Sequence, residues 1–219
     1  MDGFMTPRLY AIASMVPQGA FFADVGTDHA YLPIYLAENN LIFHAVAADI
    51  NRGPLLRAKG NIKKYNLEEK IDTCLSDGFE ELDGNSFDTA SIAGMGGILI
   101  ARILEKAPRG KLYILQPMRD AHFLRAYLSS NGFELVDEKL AEEGNKIYTV
   151  IAVRDGKEVL SEKELYLGKL LKKDPLFEKF RTRLSNKYKK KYEGLKLSSA
   201  DKTAEIEECE RIINILNGG

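Results

Sequence analysis

The feature that most constrains this chain is a repeated pairing. Five short apolar runs each close on an acid, a glycine or a proline, and each of the first four leads into the next across a connecting segment. The runs are 20–25, 44–50, 71–75, 88–93 and 111–115. Stretches with helical spacing lie at 29–39, 54–65, 98–106 and 120–130. Strands alternating with helices predict a parallel sheet with helices on both faces. A further helix is expected over 6–16, with Thr6 capping it, Pro7 in the first helical position, and Leu9, Ile12, Ala13 and Val16 sharing a face. Runs 133–141 and 146–153 are joined only by Glu142-Glu143-Gly144-Asn145. That joint is too short for a crossover, so the pair is antiparallel.

After about Gly156 the texture changes. Strand signals vanish, and Lys, Glu and Leu dominate. Phe177, Phe180, Leu184, Tyr188 and Leu195 recur at spacings near three to four, Ser198-Ser199-Ala200-Asp201 breaks the pattern, and Ile206, Cys209, Ile213 and Leu216 resume it. The expectation is an α/β domain over 1–156 and a helical hairpin or coiled coil over 157–219. Residues 160–200 carry twelve Lys/Arg against five Asp/Glu, while the whole chain has a net charge of −1. A basic extension on an acidic body suggests a polyanionic partner, or else a solvated helix face.

No stretch approaches the roughly 18 apolar residues of a membrane span, and the first ten residues carry no export signal. The two cysteines, Cys74 and Cys209, are expected to be free thiols in the cytoplasm. With His29, His44 and His122 scattered, no protein-bound metal is expected.

Ligands in open α/β sheets bind at the carboxyl ends of the strands. Asp24-Val25-Gly26-Thr27-Asp28-His29-Ala30 has one glycine where a dinucleotide fingerprint wants three. Asp28 and Tyr31 stand in the other two places. Carboxylates repel a pyrophosphate but suit a cation, such as the amino group or sulfonium of S-adenosylmethionine. The alternative is an acid-rich turn that only caps the next helix. Asp49, followed by Ile50 and Asn51, lies 23 residues past Gly26, the place where this fold holds a ribose diol. Asp77 and Gly78 follow the third run, where Asp77 can accept from an adenine amino group and Phe79 can lie against a ring; an Asp-Gly turn is common in any protein, and on its own this stretch reads as an ordinary turn. Ala93-Gly94-Met95-Gly96-Gly97 reads as a glycine turn against which a flat group can press. Gln116-Pro117 closes the fifth run beside it. Seven strands in this pattern match the class I methyltransferase variant of the Rossmann-like fold.

The segments Asp24 to Pro33, Gly53-Pro54, Ala93 to Gly97 and Leu115-Gln116-Pro117 together resemble the bacterial tRNA (adenine(22)-N1)-methyltransferase family. The resemblance is strong over the first 155 residues and compositional afterwards. It implies a Rossmann-like catalytic domain, a C-terminal coiled coil, and methyl transfer from S-adenosylmethionine to N1 of an adenine in tRNA. By position it implies Arg8, Asp24, Gly26, Asp28, His29, Asp49, Ile50, Asn51, Asp77, Gly78, Ala93, Gly94 and Met95 at the cofactor. For the target base it implies Tyr31, Met95, Gly96, Gly97, Gln116 and Pro117, with Asp24, Asp28 and Gln116 nearest the chemistry. His29 is a candidate base or a helix-start histidine with structural hydrogen bonds. Met118 stands where the family pattern has asparagine. The basic extension then binds tRNA phosphates through Arg181, Arg183, Lys187, Lys189, Lys190 and Lys191; the rival reading is an oligomerising coiled coil whose lysines face water. A monomer without metal, acting on tRNA and not at a membrane, is the expectation.

Overall fold

The computed structural model describes residues 4–198 and 201–218. Ser199-Ala200, within the expected break, and Met1 to Gly3, ahead of the first helix, lie outside the described residues. Seven strands make one sheet: β1 (Ala20–Val25), β2 (Ile42–Asp49), β3 (Ile71–Leu75), β4 (Thr89–Gly96), β5 (Leu112–Arg119), β6 (Phe133–Glu143) and β7 (Lys146–Asp155). Their order across the sheet is β3-β2-β1-β4-β5-β7-β6. β1 to β5 run parallel, and β7 is antiparallel to both neighbours. The chain moves outward from β1 to β3, then returns to lay β4 on the other side of β1. The connections therefore part between β1 and β4 and leave a crevice above their carboxyl ends.

Five helices cover the sheet: α1 (Pro7–Ala13), α2 (Tyr31–Glu38), α3 (Arg52–Lys64), α4 (Gly97–Leu104) and α5 (Ala121–Ser130). Thr6 caps α1 through its side chain, with Pro7 in the first turn, as the sequence predicts. Strand alternation divides the core in two. Phe22 and Ile114 pack with Ile34, Leu36, Ala58 and Ile62 on one face. Ala23, Val25, Tyr113 and Leu115 pack with Ile100, Leu124 and Leu128 on the other.

One expectation needs correction. The glycine stretch after Ala93 is not a simple turn. β4 runs on to Gly96 and β5 to Arg119, with Met95 paired to Pro117 and Gly96 to Arg119. The register slips at Gly94, whose φ of +78° lifts it out of the ladder. Glycine tolerates that conformation without a Cβ clash, so the strand bulges and then resumes.

Beyond β7 come α6 (Glu162–Leu167), a 3₁₀ turn (Leu171–Lys173), α7 (Phe177–Lys196) and α8 (Thr203–Asn217). α7 and α8 are antiparallel: Ser185 Oγ lies 3.2 Å from Asn217 Oδ1, and Tyr192 donates to Glu210 at 2.7 Å. Tyr166, Leu167, Tyr188, Cys209, Ile212 and Leu216 form a core of their own. The fastening to the sheet is polar. Arg125 and Glu138 form a fully buried ion pair at 2.7 Å. Arg125 also donates to the Leu165 carbonyl, and Glu138 accepts from the Leu170 amide. Asp174 accepts from the Leu140 amide.

Removing one member of a buried pair strands the other charge, which costs about 3–5 kcal/mol. Arg125→Leu should therefore lower unfolding stability by about that amount in urea titrations, and Arg125→Leu/Glu138→Leu should recover part of it, the remainder being the Leu165 carbonyl and Leu170 amide left without these partners. Equal losses in the single and double variants would show that the pairing is not what matters.

Candidate active site

A cavity of about 270 Å³ opens above the crevice between β1 and β4. Arg8, Asp24, Gly26, Asp28, His29, Tyr31, Ala93 and Gly94, eight of the residues expected from the sequence, line it together. Phe4, Thr6 and Leu9 of the N-terminal segment add a wall that no strand-end motif signals.

Asp24 is the buried charge of the site. It is 9% exposed and pairs in register with Ser91 of β4, whose hydroxyl donates to it at 2.6 Å. Burial pushes its carboxyl above the ordinary carboxylate value. The Ser91 hydrogen bond opposes that rise, and the negative charge of Asp49 adds to it. Asp24 and Asp49 thus lie within electrostatic reach of each other. A buried carboxylate facing a cavity suits a cationic ligand group.

Gly26 has φ of +82°, and a Cβ there would collide with the Met95 methyl. The Gly26 and Thr27 amides both donate to the Ala48 carbonyl, tying the loop to the end of β2. Asp49 closes β2, and its Oδ1 accepts from the Asn51 amide at 2.7 Å, which orients the carboxylate. Ile50 is 59% exposed beside it. The Ser76 amide donates to the Asp49 carbonyl, placing Asp77 and Gly78 next along the same edge. Asp49, Ile50, Asn51, Asp77 and Gly78 flank the cavity rather than line it. Phe79 does not reach the site at all: it is buried against Phe87 and Tyr113 in the core.

At the other end, Gly94 stands open, with nothing within 4 Å of where a Cβ would lie. Its amide donates to Gln116 Oε1 at 3.2 Å. Arg8 donates to the same oxygen at 3.0 Å, pairs with Glu143, and lies 5.1 Å over the Tyr148 ring. Gln116 is fully buried and donates to the Pro117 carbonyl. Both ends of its amide are engaged within the protein, so Gln116 shapes the Gly94 backbone rather than presenting a free amide. Arg8 also approaches Met118 Sδ at 3.3 Å. Gly97 is buried, and a Cβ there would lie 2.5 Å from the Asp120 carbonyl oxygen. Its smallness lets the start of α4 lie against the start of α5.

Tyr31 stacks on both Phe4 and His29, with centroids 4.8 Å and 4.9 Å away, so it is part of a ring stack and not an open platform. Asp28 pairs with Arg57 and sits 3.3 Å from His29 Nε2, while the His29 carbonyl accepts from Asn61. These contacts agree with the structural reading of His29. Ser91, Arg57, Glu143 and Tyr148 were missed by sequence reasoning. Their roles arise from strand register and long-range contact, which no local motif carries.

The sequence profile of TrmK, tRNA (adenine(22)-N(1))-methyltransferase, matches residues 22–218. The chain belongs to that family. It is 40% identical over 157 residues to the tRNA (adenine(22)-N(1))-methyltransferase of Bacillus subtilis (strain 168), covering 69% of this chain and 66% of that relative's own length. A Streptococcus pneumoniae putative tRNA (m1A22) methyltransferase, solved with S-adenosyl-L-methionine, superposes with TM-score 0.82 at 34% identity over 98% of both chains. M. capricolum TrmK, solved with S-adenosyl-homocysteine, superposes with TM-score 0.84 at 29% identity over 97% of this chain and 96% of that one. S-adenosylmethionine is the cofactor of this TrmK-family chain. The residues present fit it: a buried carboxylate, a cavity at the switch point, and an open glycine at its end.

Because burial raises the Asp24 value, Asp24 holds its proton more tightly in the folded state. Its favourable contribution is complete at low pH and is lost as pH rises through the raised value. Asp24→Asn keeps the Ser91 acceptor without the charge. Without cofactor, this variant should melt above wild type at pH 8, with the difference shrinking toward pH 4, while cofactor affinity falls. Thermal melts giving equal differences at both pH values would contradict this.

Proposed function

We propose that the chain carries out its family's reaction, methyl transfer from S-adenosylmethionine to N1 of adenine 22 in tRNA, with the labour divided along the strand ends. What supports this most directly is that the family match, over residues 22–218, runs through both the cavity and the basic hairpin. Asp24 takes a cationic part of the cofactor. Asp49, set by Asn51 and beside Ile50, takes the ribose diol through two carboxylate oxygens. Asp77 and Gly78 meet the adenine, and Ala93, Gly94 and Met95 form the floor. When bound, the cofactor supplies an electrophilic methyl group on a positively charged sulfur.

Adenine N1 presents an in-plane lone pair, so the displacement needs no covalent nucleophile from the protein. The residues' task is alignment. Gln116 and Arg8 fix the Gly94 bulge, and Met95, Gly96 and Pro117 bound the space for the base. The methylated ring is cationic until it releases an N6 proton to solvent. Asp28 is the exposed carboxylate of the cavity and stabilises that charge. N1 lies on the Watson–Crick edge, so the target must be splayed from any pairing.

We assign residues 1–156 to catalysis and cofactor binding and 157–219 to tRNA. Lys179, Arg183, Lys187 and Lys191 follow one another four residues apart, with Lys190 adjoining, so they share one face of α7. Lys179 and Arg183 pair with Glu142 of β6, which turns that face toward the sheet. Arg181 and Lys189 lie on another face, near Asn217 of α8, and Arg181 pairs with Glu178. The six cations thus divide into two groups, of which Lys187, Lys190 and Lys191 serve the tRNA beside the site. Cavity and basic face come from one chain, so a monomer suffices. No helix among the described residues is long and apolar enough to cross a membrane, and the cytoplasm, where tRNA is processed, is the expected location.

The test is methylation of an unmodified tRNA transcript with labelled cofactor, followed by nucleoside analysis. The expected product is N1-methyladenosine, absent when position 22 is guanine. N6-methyladenosine, or no label, would overturn the reading. Lys190→Glu/Lys191→Glu should weaken tRNA binding about tenfold or more at low salt, by loss of phosphate contacts, and leave cofactor binding unchanged. Unchanged tRNA affinity would remove α7 from the interface.

A further inference from the structure

A second recess lies between the sheet and the helical hairpin and shares no lining residue with the cavity above β1 and β4. Two adjoining cavities, of about 130 and 330 Å³, share Met118, Ile147, Tyr148, Phe180, Leu184 and Lys187. Together they form a groove with aromatic and aliphatic walls and a cationic rim. Lys187 is exposed at that rim, and Arg119 and Lys146 stand nearby.

Arg8 links the groove to the active site. It lines the cofactor cavity, reaches Met118 Sδ, and lies over the Tyr148 ring, and both of those residues line the groove. Met118 is 38% exposed on the groove side of Arg8. A ligand whose reacting part sits above Gly94 therefore extends into this groove without leaving the protein surface.

Charge and chemistry select the occupant. Single-stranded nucleic acids are held by stacking on aromatic side chains together with cations along the backbone. A target adenine splayed from its helix also leaves its neighbours without a stacking partner, which adds to the unstacking cost. A groove one step from the reacting base, with ring walls and a lysine at its rim, meets that need. We propose that it is a subsite for the tRNA nucleotide next to the target adenine, with the base against Phe180 and Tyr148 and its phosphate at Lys187. Met118 is the apolar threshold between the two bases. That gives a physical role to the residue standing where an asparagine was expected. The inference rests on the tRNA reading above and deepens it: the flanking nucleotide becomes part of substrate recognition.

The test uses the full-length protein and three transcripts: intact tRNA, and tRNA made abasic at the position before or after adenine 22. With wild-type protein, one of the two abasic substrates should lose about tenfold in kcat/KM, the scale of one base–aromatic stack. Phe180→Leu, which removes the ring but keeps bulk, should lose a similar factor on intact tRNA. It should lose nothing further on that abasic substrate. Lys187→Ala should lower the salt dependence of tRNA binding by about one charge. Cofactor binding unchanged in both variants reports that the fold is intact; were Phe180→Leu to fail that check, Lys187→Ala would carry the test alone. Both abasic substrates reacting like intact tRNA, losses that multiply in the combination, or an unchanged salt dependence would overturn the subsite. Failure of the tRNA reading itself has a separate signature, since intact tRNA would then yield no N1-methyladenosine.

Discussion

The contact between Asp24 and Ser91 holds the site together. It spans the place among the parallel strands where chain order reverses, joining β1 to β4 across the floor of the crevice. An ionised carboxylate in so buried a position is costly unless paired. Here the Ser91 hydroxyl, hydrogen-bonded at 2.6 Å, and the nearby Thr27 side chain oppose the burial without cancelling it. The carboxylate is thus left demanding a cation from the cavity side. The turn at Gly26, the Asp49 carboxylate and the Gly94 bulge are arranged around that demand.

A second layer holds the far side of the cavity. Arg8, carried in on α1, bridges Gln116 of β5, Glu143 of β6 and the ring of Tyr148 on β7. One guanidinium thereby ties the N-terminal helix to three strands. Its planar fork and fixed charge suit it to this, as a lysine would not. The Arg125–Glu138 pair does comparable work for the hairpin, because its partners Leu165 and Leu170 lie in the segment that leads to α7. The orientation of the basic face relative to the cavity therefore rests in part on buried polar contacts, beside the stack of His122 on Tyr166.

Much of the fold was legible in the sequence because its signals are local. The five apolar runs, Thr6 and Pro7 at the start of α1, and the short β6–β7 joint each specify geometry within a few residues. Asp24, Gly26 and Asp49 were legible for the same reason: they sit at strand ends with a spacing set by one β–α–β unit. What stayed hidden depends on contacts distant in sequence. Ser91 matters only because β4 pairs with β1 in that register, and Glu143 and Tyr148 only because Arg8 arrives from more than a hundred residues away. Phe79 stayed ambiguous because an aromatic after an Asp-Gly turn fits either a ligand or a core, and its packing on Phe87 and Tyr113 decides for the core. The basic run of α7 read as one patch, yet the helical repeat sends Arg181 and Lys189 to a different face from Lys187.

The central claim is that the edge formed by Asp24, Asp49 and Gly94 holds the cofactor while the groove at Phe180 stays open for RNA. A crystal structure of this protein with S-adenosylhomocysteine tests it most directly. The account predicts the ribose hydroxyls on the Asp49 carboxylate, the amino group toward Asp24, and the adenine beside Asp77. Density for the nucleoside in the groove beside Tyr148 and Phe180, with Asp49 uncontacted, would contradict it.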